Sequence, residues 1–104
     1  MKVSASKPGV QPPKIEKRTG DSIICLIDCS TLVSTDEVVY GIPTFSNTEL
    51  EISDNRVISD NIIQFRVSGG PTKVPYTDYS IVFTVNTTLR NVITVPVTIR
   101  AYSS

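Results

Sequence analysis

Apolar and polar positions alternate with period two along the last third of the chain. Ile63, Phe65 and Val67 fall on one side, with Gln64 and Arg66 on the other. Tyr79, Ile81, Phe83 and Val85 repeat the pattern. Ile93, Val95, Val97 and Ile99 then stand against Thr94, Pro96, Thr98 and Arg100. Successive side chains of a strand point to opposite faces, so each of these segments has one face to bury. The pattern predicts strands over 62–68, 79–85 and 92–102, the last two joined as a hairpin by the turn 86–91. Pro96 is expected to blunt a free edge on the final strand.

Ser22 to Ser30 is apolar on both faces for most of its length, which predicts an interior strand or one covered by the N-terminal segment. Glu37 to Phe45 is the next strand; Gly41 marks a bulge in it and Pro43 an edge position or bend. Glu49 to Ser53 is short, with Leu50 and Ile52 facing inward. Ser46-Asn47-Thr48, Asp54-Asn55-Arg56 and Ser59-Asp60-Asn61 read as turns. Ser68-Gly69-Gly70 reads as a turn tolerant of positive φ. No stretch has a helical period. About seven strands with this spacing predict an all-β fold, an immunoglobulin-like two-sheet sandwich.

Composition agrees. Val, Ile and Thr supply 37 of 104 residues, and these β-branched side chains suit a pleated surface. A chain of this length is one domain at most. No apolar run approaches a membrane span, and no hydrophobic stretch follows Met1 to Ser6, so neither a membrane nor a secretory signal is expected.

The charge is zero overall but unevenly placed. Residues 1–19 hold Lys2, Lys7, Lys14, Lys17 and Arg18 against Glu16 alone; the rest holds five cations against nine acids. With Pro8, Pro12 and Pro13, residues 1–19 read as an extended basic arm and residues 20–104 as the sandwich. Such an arm invites docking on an acidic neighbour or on a copy of the same chain. The expected partner-binding residues are Lys7, Val10, Pro12, Pro13, Ile15, Lys17 and Arg18. Removing the arm is expected to leave a folded body that no longer assembles. No aromatic side chain lies among these cations to stack on bases, so nucleic acid is not an expected partner.

Candidate chemistry is sparse. The chain has no histidine, hence neither the usual base near neutral pH nor the commonest metal ligand. Cys25 and Cys29 lie four residues apart in one expected strand, about 13 Å between Cα atoms, too far for a disulfide. They read as free, buried thiols. Asp28 is either a buried acid or a strand-end residue. No catalytic, metal or cofactor residue is expected, and an enzyme is not. Tyr40, Tyr76 and Tyr102 are the aromatic side chains that a carbohydrate-binding sandwich would expose.

From Ser22 onward the chain resembles the small immunoglobulin-like virion proteins of tailed bacteriophages, of the fibre–tail adaptor type. The resemblance rests on Ile27-Asp28-Cys29-Ser30 followed by Asp36-Glu37-Val38-Val39. It continues through Phe65-Arg66-Val67-Ser68-Gly69-Gly70, then the Tyr-led run Asp78 to Thr87, and closes with Val97-Thr98-Ile99-Arg100. It implies a non-enzymatic structural part of a phage particle, assembled in the host bacterial cytoplasm. Several copies would stand in a symmetric assembly, bound to other virion proteins of tail, fibre or capsid. A decoration or cement protein on the capsid is the alternative within that class.

Overall fold

The computed structural model describes residues 1–46, 48–58 and 61–103. The described residues form eight strands: β1 (Lys2–Ser4), β2 (Lys14–Arg18), β3 (Ile23–Asp28), β4 (Val39–Phe45), β5 (Glu51–Ile58), β6 (Ile62–Ser68), β7 (Tyr76–Thr87) and β8 (Val92–Tyr102). A 3-10 turn, Ser30–Leu32, follows β3. One sheet has the order β1-β3-β6-β5 and the other β2-β8-β7-β4. Both are mixed: β1 runs parallel to β3 and β2 parallel to β8, while the other neighbours are antiparallel. The arrangement is a sandwich of two four-stranded sheets.

The buried faces are those that the alternation marks. Ile63, Phe65 and Val67 of β6 meet Ile81, Phe83 and Val85 of β7, and all are buried. The Phe65 and Phe83 rings lie 4.7 Å apart between the layers. Val95, Val97 and Ile99 of β8 and Cys25 and Ile27 of β3 complete the centre. Each such side chain removed from water contributes about 1.5–3 kcal/mol before entropy is counted. β3 is interior, as its double-sided apolar pattern requires, although Ile24 on its outer face remains exposed.

Three expectations change. Asp54-Asn55-Arg56 does not end a strand: β5 runs through it with a register shift between Ser53 and Arg56, and Asp54 takes a φ of 55°. Short polar side chains tolerate this left-handed conformation, so a turn signature also serves a bulge. β8 is not an edge, because β2 pairs with its second half from Thr98 onward. Thr98 N–H donates to Pro13 O at 2.9 Å, so alternate residues Val92, Thr94 and Pro96 also turn their backbone groups away from β7. The donor that Pro96 lacks therefore falls where β2 has not yet begun, and the proline removes no ladder bond. The turn expectations at Asn47 and at Ser59-Asp60 lie outside the described residues.

The third change concerns residues 1–19. They do not stand apart from the body: β1 extends one sheet and β2 the other. Lysines and prolines give this segment a linker-like composition, yet Ala5, Ile15 and Lys17 point inward and are buried. The alternation in Lys14-Ile15-Glu16-Lys17-Arg18 is that of an edge strand with a lysine at an inward position. Gly41 and Pro43 behave as read, with a φ of 85° at Gly41 and a register shift between Tyr40 and Thr44.

Candidate partner interface

The cations singled out in residues 1–19 divide between surface and interior. Lys7, Val10 and Arg18 are exposed, Val10 at 60 %. Pro12 and Pro13 are half-buried. Ile15 is fully buried and Lys17 only 5 % exposed. Both side chains are held by the chain's own body. The Lys17 ammonium donates to the carbonyls of Arg18 and Gly69, the latter at 2.6 Å. Burial lowers its pKa below the usual lysine value, against the opposing pull of Asp21 and Cys25. Lys14, a surface residue of β2, belongs with Lys7 and Arg18 on the exposed side of this edge.

The segment joining β1 to β2 crosses from one sheet to the other and is internally braced. Ala5 N–H donates to Asp28 O at 2.8 Å, Thr31 Oγ1 to Ala5 O at 3.0 Å, and Ser6 Oγ to Gln11 O at 2.7 Å. Between it and the first half of β8 lies an open groove of about 420 Å³, lined by Lys7, Pro8, Thr31, Leu32, Val92, Ile93 and Thr94. A smaller hollow of about 150 Å³ adjoins it beside Val10 and Pro96. The groove has an apolar floor and one cation on its rim.

The opposite lateral side is formed by β4 and β5, which pack together; Asn55 Nδ2 donates to Pro43 O at 2.5 Å. Ile42 is 77 % exposed here, beside exposed Tyr40 and Phe45. Of the side chains read from sequence as candidate contacts, Tyr40 alone lies on this side. Alternation from buried Val39 to buried Pro43 turns Tyr40 and Ile42 outward together, so the pattern itself marks this face.

The titratable groups serve structure. Glu37 is buried; its carboxylate accepts from Thr87 Oγ1, from Asn91 Nδ2 at 2.7 Å and from Ser34 N–H at 3.0 Å. These bonds, the Thr87 hydroxyl first, hold its pKa below the usual carboxylate value. Asp28 accepts from the Ser30 hydroxyl and from Ser30 N–H at 2.9 Å, which lowers its pKa and fixes the 3-10 turn after β3. It is thus the strand-end residue of the two readings. Cys25 and Cys29 are free and buried, and burial pushes their thiols up to about 11 and about 12.

On the outer face of the second sheet, Arg100 binds Asp78 through two hydrogen bonds of 2.8 and 3.0 Å and stacks 4.3 Å over the Tyr76 ring. Tyr76 and Tyr102 lie 5.9 Å apart and tilted by 56°. Arg100 therefore covers one Tyr76 face that a sugar would need, and Tyr40 lies apart on β4. No family model, curated protein or solved structure matches the chain.

Proposed function

We propose that this chain is a non-enzymatic structural subunit of a tailed-phage particle, an immunoglobulin-like adaptor that links tail or baseplate to fibres. The observation that carries the reading is strand order. Taking β3 to β8 as strands B to G, one sheet contains B, E and D and the other G, F and C, with β1 added to the first and β2 to the second. The immunoglobulin sandwich places A, B, E and D in one sheet and C, F and G in the other, which is the same distribution. The parallel pairings of β1 with β3 and of β2 with β8 are this chain's departures from that antiparallel fold. The chain reverses between β1 and β2, where Gly9 takes a φ of 82°.

The motif order from Ile27 to Arg100 supports the same reading. So does the character of the surface, where exposed cations, strand edges and outward apolar side chains suit contact with neighbours. The test is mass spectrometry on purified particles from cells producing the phage that carries this gene. Peptides of this chain in the particle fraction, with immunogold label at the tail, are the expected result. Label on the head supports the capsid decoration reading instead. Recovery only in the soluble fraction overturns both.

A further inference from the structure

The two lateral sides of the sandwich carry opposite charge. β1 and β2 are the outer strands on one side, β5 and β4 those on the other. Residues 1–19 hold five cations against Glu16, and four of these, Lys2, Lys7, Lys14 and Arg18, are exposed. Residues 34–58 hold five carboxylates against Arg56; Asp36, Glu49, Glu51 and Asp54 are exposed, while Glu37 is internal. Asp54 is partly engaged by Arg66 at 3.8 Å, which leaves Glu49 and Glu51 as the leading free charges. Each side also exposes an apolar side chain, Val10 on the basic one and Ile42 on the acidic one. The separation noted along the sequence is thus a separation in space.

We infer that copies of this chain associate side to side, the basic β1/β2 edge of one against the acidic β4/β5 edge of the next. The inference deepens the structural-subunit reading and rests on it. The contact joins two different surfaces, so it is heterologous: repeated, it gives a ring if the rotation closes and a filament if it does not. Main-chain pairing is not its basis. β1 has three residues, and both β4 and β5 are broken by register shifts, devices that blunt an edge against another strand. Side-chain charge and the Val10 and Ile42 contacts carry the recognition, so affinity follows ionic strength. Exposed charges are screened over about 10 Å at 0.1 M salt.

The test is sedimentation velocity on the full chain. Self-association that weakens at least tenfold between about 20 mM and about 500 mM salt is expected. Lys2→Glu with Lys14→Glu reverses one side, and Glu49→Lys with Glu51→Lys reverses the other. All four positions are exposed, and circular dichroism checks that each variant keeps its strand content. Each variant alone is expected to be monomeric, and an equimolar mixture is expected to restore association, because the reversed sides complement each other. A monomeric parent chain at low salt, variants that still self-associate, or a mixture that stays monomeric overturns the inference. A variant that loses its strand content is replaced by Lys7→Glu or Asp36→Lys on the same side. Particles that contain the chain while the purified protein stays monomeric refute this contact alone; particles lacking it refute the structural reading.

Discussion

The ammonium nitrogen of Lys17 stands 2.6 Å from the carbonyl oxygen of Gly69, a residue 52 positions away. Two residues on, Thr19 Oγ1 lies 2.6 Å from Pro71 O and 3.0 Å from Tyr102 O. The end of β2 is therefore fastened to the turn between β6 and β7. A segment with the composition of a linker is held by the two backbone regions that flank it.

Ile15 makes the energetic consequence measurable. It is fully buried beside Ile99, its register partner on β8. Ile15→Ala is expected to destabilise the fold by about 2–5 kcal/mol, the range for isoleucine truncation in a core. Deleting residues 1–19 removes a strand from each sheet and is expected to give an aggregation-prone or unfolded body. Thermal denaturation followed by circular dichroism checks both. An unchanged midpoint for Ile15→Ala would show that β2 docks without contributing to the core.

Gly70 tests the fastening from the other side. Its φ is 148°, and an added Cβ would lie 2.6 Å from Thr19 Oγ1 and 2.9 Å from the Ala101 Cβ. Gly69, at φ 98°, would meet nothing closer than 3.7 Å. Gly70→Ala therefore combines backbone strain with overpacking and is expected to cost about 1–3 kcal/mol more than Gly69→Ala. Urea denaturation of the two variants measures the difference. Equal midpoints would mean that Thr19 moves aside freely.

The central strands were legible because β6 and β8 bury one face each, which leaves a period of two in the sequence, and 62–68 and 92–102 coincide with them. The inward cysteines were legible for the same reason. β7 begins at Tyr76, three residues before the expected start, because Tyr76-Thr77-Asp78 pairs with Tyr102-Ala101-Arg100. That pairing depends on cross-strand partners that local propensity does not contain. The role of residues 1–19 was hidden by Lys17: a lysine reads as surface unless the two carbonyls that receive it are known. Ile42 has the outward parity of Tyr40, so alternation marked its direction, while its place on an edge strand depended on the topology. Composition correctly separated basic from acidic segments, and topology alone placed them on opposite sides.

Cys25 and Cys29 face the core with raised pKa values, about 11 and about 12, so neither carries appreciable thiolate near neutral pH. Ellman's reagent is expected to react with neither in the native protein. Both are expected to react once denaturant unfolds it. Rapid labelling of one thiol in the native state would show local opening of β3. An intrachain bond between the two would contradict the strand itself.

Glu37 provides a pH signature. Its three donors, Thr87, Asn91 and Ser34, favour the ionised form and lower its folded pKa below the ordinary glutamate value of about 4.5. A depressed carboxylate pKa means that the unfolded chain binds the proton more readily than the folded one. The stabilisation is therefore complete above about pH 4.5 and is lost as the pH falls through the lower folded value. Asp28 and Asp78 are shifted in the same direction, so the absolute acid slope belongs to several groups. The difference between the parent chain and Glu37→Gln isolates one of them. At about pH 7 the variant is expected to be the less stable, because its amide nitrogen must face one of the three donors. At about pH 3 the gap is expected to narrow, as the parent's carboxylate takes up a proton. Chemical denaturation at both pH values decides the matter: a gap of constant size would mean that packing at residue 37, rather than its charge, ties the loop before β4 to the β7–β8 hairpin.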